Sequence, residues 1–572
     1  MNYDDIVSHL GSVGYRAELS DLSGKNVLKV HIETVQHRIE LIHPCTDELI
    51  GIPTFLIKDD GRLGECAHVF PVPVDGGNLC GICVGDSDSV SVNYDAPHLA
   101  FEDSVKRHAD LIERLLEDPD WNKNELLREF SANWSFICPI SKKAFICAAT
   151  GPFEKMDVYS PASGKSHWAD SHFIGLTPGT AELPESSSIA SINCIKSRAK
   201  LGTGFVLPLK ELQPCPRKKE EIISWLIDML RGNDLPKRAI HVRDKQFWLV
   251  FNAEIPSGKV WFGLHLQHRR RLKRTLPKPK SAHEFDNWRI EPIEVQAFSK
   301  DRVMPRSGAS VSLSEKSILL VGCGSVGGEL ADKLCSAGVG NLTLCDPDSF
   351  SLDNIYRHVL STQFIGFGKA SALAVHLKNK YPWLNASPRT DQLLVLRDKA
   401  FLDGFDLIVV AIGSPTHERK FHDFLVQEKI RTPVLYTWLE GYGIGGHAIL
   451  DIPDSKGCLQ CAYMDHTEFS RGLSSNLNFL EANQDLTVNH AGCGNLYLPY
   501  GFTAAAQTAL IAANLGLDYI RGRVSESAKI SWKGDDHDAR QRGALTTHRY
   551  EAFHKNLERM PLLNEHCDLC NG

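Results

Sequence analysis

One stretch, Val321-Gly322-Cys323-Gly324-Ser325-Val326-Gly327-Gly328, constrains this chain more than any other. It follows the apolar run Ser317-Ile318-Leu319-Leu320 and opens a helix-like segment at 329–335. A second apolar run, Leu342-Thr343-Leu344-Cys345, ends in Asp346. The order is strand, glycine turn, helix, strand, acid, as in a Rossmann-like α/β unit. Glycines permit the tight turn and let a phosphate approach the helix N-terminus, where free N–H groups and the dipole favour an anion. An acid after the second strand is placed to hold a ribose hydroxyl. The C-terminal half is therefore expected to bind a nucleotide through Gly322, Gly324, Gly327 and Asp346.

The glycine pattern alone fits NAD, FAD and ATP users. The continuation Asp346-Pro347-Asp348-Ser349-Phe350-Ser351-Leu352-Asp353-Asn354-Ile355-Tyr356-Arg357, and then Lys369, narrows the choice. A dehydrogenase needs one acid here, whereas a triphosphate user needs cations, which Arg357 and Lys369 supply. The order D-x-D, Asn, Arg, Lys resembles the ThiF/MoeB family of adenylating enzymes, which includes the ubiquitin-activating enzymes. The resemblance implies ATP as cofactor. It implies a ribose-binding role for Asp346, with Asp348 beside it. Asn354, Arg357 and Lys369 would then act on the phosphates and on the carboxylate under attack. Family members often carry an acid that helps to bind Mg2+ just after the strand that here reads 406–411. This chain continues Ile412-Gly413-Ser414-Pro415 instead. Mg2+ is then left to Asp348, to another group, or to a largely hydrated ion. Arg302 and Arg306 are the candidates for the arginine that a partner subunit contributes in that family.

Four of the sixteen cysteines form two pairs, Cys458-x-x-Cys461 and Cys567-x-x-Cys570. Each pair can place two thiolates on one metal, and two pairs make a closed tetrahedral Zn2+ site. The other reading is buried thiols or a redox pair. ThiF-like proteins carry a pair at each of these places, which implies a structural zinc that ties the second pair to the core. Cys493, in Asn489-His490-Ala491-Gly492-Cys493-Gly494, lies between the first pair and an apolar helix at 502–515. In ubiquitin-activating enzymes a cysteine between those landmarks takes the acyl group from AMP as a thioester, work suited to a thiolate. The plainer reading is a small buried residue in a glycine turn. Cys323, Cys335 and Cys345 read as packing.

The N-terminal region has a different grain. A helix-like stretch at 4–10 precedes alternating strands, Val27-Leu28-Lys29-Val30-His31-Ile32 and Arg38-Ile39-Glu40-Leu41-Ile42. A proline- and glycine-rich stretch ends in Asp75-Gly76-Gly77-Asn78-Leu79-Cys80. After it, Phe101, Val105, Ala109, Ile112 and Leu116 recur at helical spacing. Helix, strands, long loop with cysteine, helix resembles a ubiquitin-conjugating domain. Gly77-Asn78-Leu79-Cys80 matches the end of that family's cysteine loop, while His68-Val69-Phe70-Pro71 matches its start poorly and lacks the oxyanion-stabilising Asn. Asn78 and Asn93 are possible substitutes. Cys80 is the conjugating candidate. Cys83 is the rival nucleophile, and a Cys80-x-x-Cys83 metal half-site is the third reading.

The middle region carries an amphipathic helix near 221–230 and a hairpin, Phe247-Trp248-Leu249-Val250-Phe251 and Val260-Trp261-Phe262-Gly263-Leu264 around Ser257-Gly258. It shows no catalytic constellation and is expected to be a mixed α/β spacer. The basic run from His268 to Lys280 reads as an interdomain linker or docking strip. It lacks the interleaved aromatics of a nucleic-acid site. Expected domains are 1–125, ubiquitin-conjugating-like α+β; 126–300, spacer; and 301–572, a Rossmann-like ThiF adenylation domain with its zinc site. A net charge of −7 gives no global attraction to nucleic acid or anionic lipid. No apolar run suits a bilayer span, the N-terminus does not resemble a signal peptide, and the cysteine pattern fits a reducing cytosol. The expected location is cytoplasmic.

This layout resembles the bacterial fusion proteins of CBASS anti-phage operons, which join ubiquitin-conjugating and ubiquitin-activating modules. The resemblance implies adenylation of a protein C-terminal carboxylate, that of a cGAS-like nucleotidyltransferase partner. The acyl group would pass as thioesters through Cys493 and then Cys80 to an amine on a target. It also implies a homodimer. Three alternatives stand: a sulfur-carrier or ubiquitin-like protein adenylyltransferase without conjugation, a NAD-dependent oxidoreductase, and a scaffold with an inactive conjugating-like fold.

Overall fold

The computed structural model describes residues 1–33, 38–58, 66–74, 77–85, 91–139, 144–149, 151–159, 172–178, 199–233, 242–277, 281–465, 468–489 and 496–570. They fall into two compact units that meet in sequence between Phe298 and Ser299.

In the C-terminal unit, the strands Ser317–Val321, Asn341–Cys345, Asn385–Arg389, Leu407–Val410 and Val434–Leu439 are parallel. Gly445–Asp451, Ala528–Lys533 and Met560–Pro561 continue the same sheet antiparallel. Alternation across the strands feeds two cores. Ile318, Leu320, Leu342 and Leu344 pack on one face, with the helices Ser325–Ser336 and Phe502–Ile520. Leu319, Val321 and Cys345 pack on the other, with Phe421, Phe424 and Leu425 of the helix Pro415–Gln427. Burial on both faces is why these strands read as continuous apolar runs. The chain leaves Ser317–Val321 toward Asn341–Cys345 on one side and returns to Leu407–Val410 on the other. That reversal opens a crevice beyond the strand ends, where α/β sheets place ligands.

In the N-terminal unit, an antiparallel sheet runs in the order Arg16–Leu22, Lys25–Glu33, Arg38–Pro44, Leu56–Lys58, Gly77–Ile82, Val69–Val74. The helix Tyr3–Ser12 starts at an Asn2 cap whose Oδ1 accepts from Asp4 N at 3.1 Å. With the helix Pro97–Glu117, it covers a core of Ile6, Leu10, Leu28, Val30, Leu41, Phe55, Phe101, Val105 and Ile112. The helical stripe closes on Leu115, 3% exposed, while Leu116 and Ala109 are only half-buried. The helices Pro119–Arg128 and Phe130–Ile137 follow directly, so helical structure crosses the expected boundary at 125.

The spacer differs from the mixed α/β expectation. Lys200–Pro208, Gln246–Ile255, Gly258–His268, Trp288–Ala297, Ala144–Cys147, His172–Leu176 and Lys155–Tyr159 close into a barrel. Closure removes exposed sheet edges. The hairpin is as expected: Ile255 pairs with Gly258, which takes a φ of +116°. The helix Ile222–Gly232 caps an aromatic core of Phe130, Trp134, Phe251 and Phe262. The basic run is not an interdomain linker. His268 ends one barrel strand, Trp288 begins its neighbour, and Arg274–Thr275 pairs with Arg243–Asp244 between them. Residues 278–280 lie outside the described residues.

Candidate active site

The glycine turn is built from contacts that a side chain would break. Gly322 has φ +95°, and a Cβ there would meet the Ala411 carbonyl oxygen at 2.6 Å. A Cβ on Gly327 would lie 1.8 Å from the Gly322 carbonyl oxygen, so helix and turn touch backbone to backbone. At Gly324 nothing lies within 4 Å, and this residue immediately precedes Ser325 at the helix start. Gly322 and Gly327 therefore shape the turn, while Gly324 faces open space where an anion can approach.

Asp346, 7% exposed, holds the turn from the next strand. Its Oδ2 accepts from Cys323 N at 2.6 Å and its Oδ1 from Asp348 N at 2.8 Å. His358 braces the other side, its Nε2 donating to the Cys323 carbonyl at 2.7 Å while Nδ1 accepts from Leu360 N at 3.2 Å. Burial lowers the His358 pKa, which keeps the imidazole neutral in that role. Motif reading missed His358 because it sits outside the glycine pattern.

A cleft of about 470 Å3 opens at these strand ends and gathers Gly322, Gly324, Asp346, Asp348 and Lys369. Lys369 begins the helix Lys369–Lys380, and its Nζ lies 2.9 Å from Asp348 Oδ2. Asn354 and Arg357 do not line this cleft. Asn354 Oδ1 accepts from Ser351 N and Ser351 Oγ, both at 3.1 Å, and so caps the short helix Leu352–Arg357. Arg357 lies over the Tyr500 ring at 5.2 Å, and Tyr500 OH donates to Ser325 Oγ at 3.3 Å. Among the described residues, the buried Arg357 Nε has no hydrogen-bond partner. A guanidinium stacked on a ring whose hydroxyl bonds the first helical residue, with one N–H unspent, suits an anion at that helix start. Arg302 and Arg306, on the helix Lys300–Arg306, do not line the cleft.

After Leu407–Val410, where this chain departs from the family's acid, the cleft presents Ser414 and His417, with Ser414 Oγ 2.6 Å from His417 Nδ1. An acid is nearby but faces inward. Glu418 Oε1 accepts from Ser414 N at 3.1 Å, and burial raises its pKa to about 7 against the pull of the Ser414 and Gly413 N–H groups. Asp391, also on the cleft wall, pairs with Arg389 at 2.6 Å.

Cys458, Cys461, Cys567 and Cys570 converge, with all four sulfurs within 4.8 Å of one another. Cys458 Sγ lies 3.8 Å from Cys567 Sγ, and Cys461 Sγ lies 3.6 Å from Cys570 Sγ. This donor set could hold a metal ion. An Arg471–Asp568 pair at 2.7 Å secures the same end of the chain. Cys493 lies outside the described residues. The segments on either side of it, Val488–Asn489 and Leu496–Tyr497, pair antiparallel.

The expected cysteine loop of the N-terminal region is instead a strand. Cys80 pairs opposite Pro71 and Ile57 within the sheet and is 5% exposed, packed in the core. This corrects its placement as an accessible loop thiol, because the strand carries it to the buried face. Cys83, just beyond the strand, is exposed; its N–H donates to the His68 carbonyl at 2.9 Å and its thiol to the Gly85 carbonyl at 3.8 Å. The metal half-site reading gains nothing, since among the described residues the C-terminal four-cysteine cluster is the one candidate found. Asn93 closes a local turn, its Oδ1 accepting from Asp95 N at 3.1 Å.

A parallel sheet with a glycine turn, a buried acid after the second strand and a lysine on the cleft at its reversal is a nucleotide-binding arrangement. Residues 301–568 match the ThiF family, and the C-terminal unit belongs to it. The chain is 32% identical over 242 residues to an ATP-dependent ubiquitin transferase-like protein Cap2 of Pseudomonas aeruginosa, covering 41% of this chain and 42% of that protein. It is 24% identical over 322 residues to a Cap2 of Vibrio cholerae, covering 52% and 54%. The chain thus spans about half the length of the curated relatives it matches. Among solved structures, Escherichia coli MccB with MccA-N7isoASN is similar at 16% identity and a TM-score of 0.31, over 45% of this chain and 68% of that one.

Proposed function

We propose that the chain is an ATP-dependent ubiquitin-activating and -conjugating-like ligase of anti-phage defence. The observation that carries this is the pairing of the open Gly324 turn with Arg357, its Nε unspent, and with Lys369 on the cleft wall. ATP bound there supplies an electrophilic α-phosphorus and a pyrophosphate leaving group. Arg357 and Lys369 neutralise charge on the phosphates and on the incoming carboxylate. Asp346 fixes the ribose, and Leu393, Leu394 and Ile412 offer an apolar wall to the base. Asp348 is the nearest carboxylate for Mg2+, which otherwise stays hydrated.

The activated group is the C-terminal carboxylate of a partner protein, a cGAS-like nucleotidyltransferase. Cys493 takes it as a thioester, a cysteine of the N-terminal region, Cys80 or its rival Cys83, accepts it next, and an amine on a target receives it as an amide. The N-terminal sheet with its flanking helices serves as the ubiquitin-conjugating-like domain, the barrel as spacer. The four thiolates hold Zn2+: tetrahedral Zn–S bonds of about 2.3 Å place sulfurs roughly 3.8 Å apart, which the 3.6 and 3.8 Å separations fit. That zinc is structural, and the ThiF domain works as a homodimer.

The test is co-expression with a tagged neighbouring nucleotidyltransferase, read by mass spectrometry. A DTT-resistant adduct at the partner's C-terminus, lost in Cys493→Ala, supports the reading. Pyrophosphate exchange without any adduct would favour adenylation for sulfur transfer, since a relative named adenylyltransferase and sulfurtransferase UBA4 is 23% identical over 208 residues.

A further inference from the structure

Three side chains from distant parts of the C-terminal unit meet at the start of the helix Ser325–Ser336. The Arg357 guanidinium lies 5.2 Å over the Tyr500 ring, and Tyr500 OH donates to Ser325 Oγ at 3.3 Å. This helix start has no side-chain cap, because Gly324 stands at the capping position. A Cβ built on Gly324 would touch nothing within 4 Å. An uncapped helix start beside open space favours an anion.

Each of the three is held from its own side. The backbone next to Arg357 is locked to the glycine turn through His358, whose Nε2 donates to the Cys323 carbonyl at 2.7 Å. Ser325 is buried at the head of its helix. Tyr500 stands two residues before the helix Phe502–Ile520, which packs on the same core as Ser325–Ser336. Just ahead of it, Tyr442 N donates to the Pro499 carbonyl at 2.6 Å. Leu498 sits so close to Gly441 that a Cβ there would meet Leu498 Cδ1 at 2.8 Å. The Tyr500 backbone is thus anchored on both sides, and its ring is a fixed platform for the guanidinium. The buried Arg357 Nε still has no hydrogen-bond partner among the described residues. A buried donor without an acceptor is costly, and a phosphate oxygen would satisfy it.

We propose that Tyr500 is a positioning residue for the nucleotide's phosphates, aligning Arg357 by stacking and Ser325 Oγ by its hydroxyl, so that both donors address one anion at the helix start. This rests on the ATP-binding reading above and adds two residues to it, Tyr500 and Ser325. Stacking uses the plane of the guanidinium and leaves the N–H groups at its edge for hydrogen bonds. Ser325 Oγ, accepting from the phenol, keeps its own proton to donate to a phosphate oxygen. An arginine ordered before the ligand arrives loses less rotamer freedom on binding, which raises affinity. The hydroxyl matters as well as the ring, because it ties the platform to the helix on which the phosphate would sit.

The test is calorimetry on the full chain with α,β-methylene-ATP, which cannot be cleaved at the α-phosphorus, and with adenosine as a ligand that lacks phosphates. Tyr500→Leu should weaken the analogue roughly tenfold or more, the scale of a lost charge-assisted contact, and leave adenosine within about twofold of wild type. Tyr500→Phe keeps the stack but loses the bond to Ser325, and should weaken the analogue roughly threefold. Combining Tyr500→Leu with Arg357→Gln should cost little beyond Arg357→Gln alone, since residues that act through one another are not additive. Residues that only fill space would show no such coupling and no preference for the phosphates. Melting temperatures within about 2 °C of wild type show that the variants fold, and Tyr500→Phe carries the test if Tyr500→Leu does not. Equal weakening of analogue and adenosine, no weakening of the analogue, or full additivity with Arg357→Gln overturns the proposal. A wild-type chain that binds neither ligand overturns the ATP reading itself, and this assignment with it.

Discussion

Asp348 Oδ2 sits 2.9 Å from Lys369 Nζ, and the Lys369 backbone N–H donates to the Asp348 carbonyl at 2.8 Å. The acid and the lysine of the motif are thus one unit, joined through both side chain and main chain. Asp348 is 67% exposed and Lys369 only 14%, so the lysine is the better-fixed member. Lys369→Ala should lower ATP–pyrophosphate exchange by roughly 10²- to 10³-fold, the scale of losing one charge-stabilising donor. Asp348→Asn should act less, chiefly by raising the Mg2+ concentration needed for half-maximal exchange.

The glycines separate shape from access. Gly327→Ala forces a methyl into the Gly322 carbonyl and should both destabilise the C-terminal unit and abolish nucleotide binding. Gly324→Ala meets no atom within 4 Å. It should leave the melting temperature within about 2 °C of wild type, the ordinary range of a harmless substitution, while weakening ATP binding in calorimetry. Equal loss of stability in both variants would contradict this division.

Four converging sulfurs should copurify with one zinc per chain, measured by inductively coupled plasma mass spectrometry. Cys567→Ser removes the fully buried ligand and should release the metal. Since metal binding at such sites is folding energy, the C-terminal transition should fall by more than about 5 °C. Removal of zinc with a chelator should mimic the variant.

His108 makes the N-terminal unit acid-sensitive. Its pKa is lowered to about 4 by burial, opposed by the Ser104 carbonyl and assisted by His43. The folded ring stays neutral while the unfolded chain protonates near pH 6.5, so stability is full above that pH and falls as pH drops toward 4. The loss reaches up to roughly 3 kcal/mol. Urea unfolding at pH 7 and pH 5 should show about 2 kcal/mol of it, and His108→Gln should flatten the difference.

The legible parts of this protein were those coded in short stretches. Strand, glycine turn, helix and Asp346 are contiguous, and their backbone geometry demands those residue types. The hairpin at Ser257-Gly258 was legible for the same reason. Asn354 and Arg357 were found by motif, yet the structure gives Asn354 a capping role and stacks Arg357 on Tyr500, which no local pattern announced. His417 and His358 were missed because only the folded sheet brings them beside the turn. The barrel was missed because strand pairing between Ala144–Cys147 and Trp288–Ala297 joins distant segments.

By itself, then, the sequence determined the nucleotide-binding half and the four metal-ligand candidates, because spacing along the chain sets what a turn or a CxxC pair can hold. Only the tertiary structure put Cys80 inside and left Cys83 exposed. Both lie in one short apolar stretch, Leu79-Cys80-Gly81-Ile82-Cys83, where alternation cannot tell inside from outside. Which thiol is buried depends on how Gly77–Ile82 pairs with Val69–Val74 and Leu56–Lys58, segments that no local pattern brings together.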